Sequence, residues 1–261
     1  MKYIETDELT NIRGKVMNET DRFSFKCHAD LSCFNRCCRN LNLFLYPYDI
    51  IRLKKSLKIS SDQFIETYTD IVVRAGQNFP DVLLRMADND EKTCIFLSPN
   101  GCSVYSDRPH TCRLYPLEQG IYYDAVKNKT RLVHFFRPPE FCQGRYEDRL
   151  CTIKSWESDQ DAAFYNAMTV QWADVMRLFQ NDPWGGEGPG GPQGKMAFMA
   201  AYNMDAFREF VLTSSFLQRY SIKPDFRLKI KTDDLSLLKI GMAWIKMFLF
   251  GVRTGEIGIK K

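Results

Sequence analysis

Apolar residues return at three- and four-residue steps in "LYPYDIIRLKKSLKI" (45–59), where Ile50, Leu53 and Leu57 share one face, and the spacing predicts a helix. "SSDQFIETYTDIVV" (60–73) continues the period with Phe64, Ile65, Tyr68, Ile71 and Val72, and Ser60 or Ser61 supplies an N-cap. The period then shortens. "DVLLRMA" (81–87), "CIFL" (94–97) and "CSVY" (102–105) read as short strands, the last two joined by the turn "SPNG" (98–101). "IYYDAVKN" (121–128) and "RLVHFF" (131–136) predict a hairpin turning near Asn128. Beyond residue 150 the helical period takes over. Ile153, Trp156, Ala163, Ala167, Trp172, Val175, Met176 and Phe179 follow it through 151–180. A second helix is expected over roughly 196–219, and "KPDF" (223–226) interrupts the chain. A last helix starts near Asp233 and Asp234, whose carboxylates suit a helix N-terminus, and runs to about Arg253.

These elements predict an α+β protein. A small, mixed, cysteine-rich domain with short hairpins and metal-binding loops occupies 1–150. A mainly helical region follows over 151–261. It is interrupted by "GGEGPGGPQG" (185–194), whose six glycines and two prolines predict a flexible linker. The most apolar stretch, "IGMAWIKMFLFGV" (240–252), is too short to span a bilayer. Lys239, Lys246 and Arg253 recur every seven residues, so a half-buried amphipathic helix is expected there.

Charge changes this picture little. The formal net charge of +4 is small for 261 residues and does not argue for nucleic acid or membrane as a partner. The polar start "MKYIETDELTNIRGK" has no apolar core of signal-peptide length. The chain is therefore expected in the cytoplasm, with an unspecified protein or small molecule as its partner.

Cysteine changes the picture most. "CHADLSCFNRCC" (27–38) carries Cys27, Cys33, Cys37 and Cys38, and Cys94, Cys102, Cys112 and Cys142 follow; Cys151 is the ninth and last. An odd number of thiols in a reducing compartment argues against a disulfide framework. Cys37 and Cys38 are adjacent, and a trans peptide holds their Cα atoms closer than a disulfide prefers. Eight sulfurs drawn from separate pieces of chain point instead to a soft metal: zinc, copper(I) or an iron–sulfur cluster. No C-x₂-C knuckle is present. Cys33 and Cys37 lie within the looser zinc range, whereas the long, irregular gaps from Cys94 to Cys102 and Cys112 suit a cluster. Spacing alone leaves zinc and iron–sulfur open.

The C-x₅-C-x₃-C-C run, followed by "GCSVYSDRPHTCRLYP" (101–116) and "FCQG", resembles the CxxCxxCC or YkgJ-like cysteine-cluster family, a zinc- or iron-chelating domain. The likeness spans 27 to about 150, and "AAYNMDAFREFV" and "LLKIGMAWIKMFLFG" are similar to the helical tail of longer members. The early gaps are wider than the family name implies. The resemblance maps the metal ligands onto Cys27, Cys33, Cys37, Cys38, Cys94, Cys102, Cys112 and Cys142. It implies a metal-binding protein holding an iron–sulfur cluster, [4Fe–4S] favoured, for redox or group-transfer chemistry. The alternatives are a Zn²⁺-binding structural or adaptor module, and a protein lysine N-methylase-like activity known from one branch of the family. No glycine-rich nucleotide loop follows a strand here. Whether the chain is an enzyme, and which residues would be catalytic, stays open.

Arg108 and Arg113 flank Cys112 and are expected to support the ligands by hydrogen bonds or by offsetting charge; Tyr105 and Tyr115 are expected to pack around them. With eight thiols at hand, His28 and His110 are weak ligand candidates, and His134 reads as an ordinary half-buried strand residue. Trp156, Asp159 and Gln160 read as a capping turn and a core aromatic, and Cys151 as a small buried hydrophobe.

Overall fold

A computed structural model describes Ile4 and residues 16–260. About 43% of it is helix and 20% strand in several small antiparallel sheets, an α+β architecture. No helix among the described residues is long and apolar enough to cross a membrane. The chain forms two compact units, neither continuous in sequence: Met1–Phe44 with Arg85–Ala173, and Leu45–Leu84 with Asp174–Lys261.

The first unit is organised by the hairpin Leu117–Asp124/Lys129–Phe136, whose first strand lies four residues earlier than its apolar pattern suggests and whose second starts two residues earlier. Leu117 pairs with Phe136 and Asp124 with Lys129; Asn128 closes the turn in the left-handed region at φ 48°. Val16–Met17 adds to its second strand. A two-stranded ribbon, Arg22–Ser24 with Leu150–Thr152, sets Cys151 opposite Phe23. Phe23, Phe25, Leu117, Ile153 and Trp156 form a core that takes in Cys142 and Cys151. Trp156 stands edge-on to Phe25 at 5.4 Å and donates its indole N–H to the Leu114 carbonyl at 3.0 Å.

The strands expected at 94–97 and 102–105 shrink to Leu97–Ser98 and Gly101–Cys102, because the intervening turn leaves only two residues on each side in register. Gly101 takes φ +112°, which a side chain would strain. The single helix expected over 151–180 is two helices, Ile153–Asp159 and Ala162–Leu178. Asp161 turns left-handed between them at φ 49°. Thr152 caps the first by accepting the Ser155 N–H at 3.1 Å.

The second unit opens with Pro47–Leu57 and Ser61–Tyr68. Ser60 and Gln63 cap the latter reciprocally. The β-branched tail of the segment expected to be helical to Val73 becomes strand Thr69–Val72, paired antiparallel with Asp81–Leu84. The helix expected over 196–219 is broken at Asn203 and Ser214 into Pro192–Tyr202, Met204–Thr213 and Phe216–Arg219. Asn203 stops one helix and caps the next through the Ala206 N–H at 3.1 Å. Asp234–Phe250 was expected to be half-buried; instead nearly every position from Ser236 to Met247 is enclosed. Its Trp244 is ringed by Phe207, Phe210, Phe216 and Phe248. The glycine-rich 185–194 segment is pinned at its start by the buried Trp184, which donates to the Asn78 carbonyl at 2.6 Å.

Candidate metal centre

The cysteines of the first unit are delivered by turns rather than by regular elements. Residues 28–38 coil through short hydrogen bonds, Phe34 N to Leu31 O at 2.9 Å and Arg36 N to Cys33 O at 3.0 Å, into a single 3₁₀ turn, Arg36–Cys38. Asn35 enters that turn at φ 64°. Two other segments lock onto this one. At one end, Lys26 N donates to Gly144 O at 3.0 Å and Gln143 N donates to Cys33 Sγ at 3.2 Å, placing Cys27 and Cys33 against Cys142. At the other, Cys94 N donates to Cys38 O at 2.8 Å. Leu97, bonded back to Cys94, pairs in register with Cys102. Cys112 rides on the short helix His110–Leu114.

Among the described residues all nine cysteines are thiols, none bridged to another. Cys33 and Cys142 are buried, Cys27 is exposed, and Cys37, Cys38, Cys94, Cys102 and Cys112 lie between. The eight are electrostatic neighbours. Burial, then Cys33, Cys142 and Cys38, push the Cys27 thiol up. The Sγ atoms of Cys37 and Cys38 are 4.0 Å apart, within hydrogen-bonding reach for sulfur. The Cys37 thiol is pushed far up, chiefly by its hydrogen bond to Cys38 and then by burial. The same bond, aided by Arg39, lowers Cys38. Burial pushes Cys94 up to about 11 and also raises Cys102.

Cys27, Cys37, Cys94 and Cys102 therefore resist losing their protons, and a bound cation opposes that by favouring the thiolates. The donor set therefore fits a soft metal. Among the described residues, no three His, Cys, Asp or Glu side chains are already in position to hold one ion. The thiols are neighbours without closing on a point.

Arg108 and Arg113 clamp the delivering loop by hydrogen bonds, and the Arg108 guanidinium lies near enough to Cys102 to oppose the rise that burial gives that thiol. Arg113 donates to the Ser106 carbonyl at 2.7 Å and to the Gln160 carbonyl, while Arg108 donates to the Tyr105 carbonyl and the Gln160 side chain. Gln160, expected only to end a capping turn, thus takes one bond from each guanidinium through different atoms. Tyr115 lies beside Cys142; its hydroxyl is buried without a hydrogen bond of proper geometry, and burial followed by that thiol raises its pKa. Tyr105 is 61% exposed beneath the Arg108 guanidinium.

Both ring nitrogens of His110 are engaged by polar side chains. Its Nε2 is 2.7 Å from Asn166 Oδ1 and its Nδ1 2.9 Å from Thr169 Oγ1. His134, buried rather than half-buried, joins the same network. Gln119 donates to His134 Nε2 at 3.1 Å and to Asn166 Oδ1 at 3.0 Å, and Asn166 donates to Glu157 at 2.7 Å. His28 pairs with Glu147 at 3.3 Å and Asp30 at 3.4 Å. Sequence reasoning missed Glu157, Tyr165, Asn166 and Thr169. The available signal was the polar pair Asn166 and Thr169, three apart on a helix otherwise apolar on that side. Cys151 lies in the aromatic core, as a small apolar residue would.

Residues 26–143 match the CxxCxxCC family, described as "Putative zinc- or iron-chelating domain". No solved structure matches the chain.

Proposed function

Residues 26–143 are a CxxCxxCC domain, and on that premise we propose that Cys27, Cys33, Cys37, Cys38, Cys94, Cys102, Cys112 and Cys142 bind iron–sulfur of the [4Fe–4S] type, in the reducing cytoplasm. The observation that carries this reading is the meeting of eight thiols from four separate segments in one neighbourhood. In a cluster each thiolate binds a different iron, so ligands arriving from distant loops at irregular intervals are well suited to it. When bound, such a centre supplies one-electron transfer or an anchoring iron for group transfer. The chain's own part is to hold the thiols: Arg108 and Arg113 fix the loop bearing Cys112, and the core around Trp156 fixes Cys142.

A second reading is a zinc site without chemistry of its own. It is favoured by the three-residue gap between Cys33 and Cys37, which lies within zinc-knuckle range. Anaerobic purification separates the two. The expected product is brown, with broad visible absorption that bleaches on reduction, and contains iron and acid-labile sulfide. A colourless protein with stoichiometric zinc would overturn the iron–sulfur reading.

A further inference from the structure

The net charge of +4 is small, but it is not evenly spread along the chain. In the second unit the ribbon Tyr220–Ile222/Ile257–Ile259 leads into the short helix Pro224–Lys229. Lys260 N donates to the Arg219 carbonyl at 2.9 Å and Lys223 N to the Glu256 carbonyl at 3.0 Å, so residues 219–231 and 253–260 form one module. It holds seven Lys and Arg against two anions, Asp225 and Glu256, a surplus of five that exceeds the whole chain's +4. All seven cations are exposed. Asp233, beside Lys229, is committed to its own helix, where it accepts the Ser236 N–H at 2.8 Å.

Aliphatic side chains stand among these charges. Phe226 is half-buried and Ile230, at the end of the short helix, is buried, which fixes its inward side. Leu228 falls on the opposite crest, 82% exposed, with Arg227 and Lys229 to either side. The ribbon repeats the arrangement: Ile259 is 73% exposed, Lys260 follows it, and Arg219 is bonded across.

We propose that this module docks on an anionic lipid bilayer, its cations meeting the headgroups and Leu228 and Ile259 entering the interface. Charge complementarity supplies the attraction, and the exposed aliphatic residues single out a bilayer among polyanions. Nucleic acid would satisfy the cations but offers no hydrocarbon to Leu228. The module's aromatic residues do not form a stacking platform either: Tyr220 packs on Phe216, and Phe226 is half-buried. The proposal is independent of the thiol site.

The test is co-sedimentation of the full chain with vesicles of phosphatidylcholine alone and of phosphatidylcholine mixed with phosphatidylserine. Binding is expected to the mixed vesicles only, and to weaken as salt is added. R227Q/K229Q/K231Q is expected to bind them roughly a hundredfold more weakly, at about fivefold per cation. Leu228→Gln removes no charge, so it is expected to weaken vesicle binding while leaving elution from a heparin column unchanged. All four side chains are exposed, and far-UV circular dichroism confirms that the variants keep the fold. Equal binding to both vesicles, binding to neither, or undiminished binding by the triple variant overturns the proposal. Undiminished binding by Leu228→Gln overturns it too, since the face is then electrostatic alone. A chain that ignores both vesicles but binds duplex DNA through the same three cations has a nucleic-acid face instead.

Discussion

At the scale of single residues, the site depends on groups that bind nothing. Gly144 is one. A Cβ there would lie 2.8 Å from the Lys26 carbonyl and 3.0 Å from the Phe25 ring, so only glycine lets the segment leading into Cys27 approach the chain beside Cys142. Gly144→Ala is expected to cost about 1–3 kcal/mol, as overpacking does, and to weaken metal retention together with stability; chelator competition and denaturant unfolding on the same variant check both. Arg113 is another. Removing its guanidinium leaves the Ser106 and Gln160 carbonyls without their donor inside the fold. The expected loss for Arg113→Ala is about 1–3 kcal/mol, from two part-buried hydrogen bonds at roughly 0.5–1.5 kcal/mol each. Arg113→Lys is expected not to restore it, because an ammonium cannot reproduce the planar fork. The flanking arginines were legible as important from their place beside Cys112. That they hold backbone rather than sulfur was not legible, since Gln160 is 47 residues away in sequence from Arg113.

At the scale of elements, most helices and the long hairpin were readable because their apolar period is set locally. Their ends were less so. Asn203 and Asp161 each stop a helix inside a continuous apolar pattern, one through a side-chain cap and one through a left-handed backbone. Helix Asp234–Phe250 shows the larger gap. Its cationic stripe suggested a wet face, yet Gly241 packs so closely on helix Pro192–Tyr202 that an added Cβ would lie 2.2 Å from the Ala200 carbonyl. Helix propensity alone would make Gly241→Ala stabilising by up to about 1 kcal/mol. The contact is expected to reverse the sign, giving a loss of about 1–3 kcal/mol. Thermal unfolding of that variant reads the sign directly.

At the scale of the whole molecule, a buried titratable network makes stability depend on pH. Burial pushes His134 down to about 4, and this outweighs the Glu157 carboxylate 3.5 Å away, itself raised by burial. Above pH 6.5 the ring is neutral whether the chain is folded or unfolded. Between 6.5 and about 4 the unfolded chain takes up a proton that the folded ring refuses, so stability falls on acidification through that window. The slope from this residue is at most about 1.4 kcal/mol per pH unit. His134→Gln is expected to flatten the slope, measured by urea unfolding at a series of pH values; an unchanged slope would show that His134 takes its proton in the folded state.

The amino-acid sequence by itself determined that this is an α+β chain whose cysteine-bearing residues 26–143 match the CxxCxxCC family, because residue type, local period and turn chemistry act over a few neighbouring positions. Tertiary structure alone decided which thiols lie together, which carbonyls the arginines hold, and that residues 45–84 pack in the unit of the C-terminal helices. Those outcomes rest on hydrogen bonds and close contacts between segments tens of residues apart. Their partners are chosen by the geometry of the folded backbone, and spacing along the chain carries no record of it.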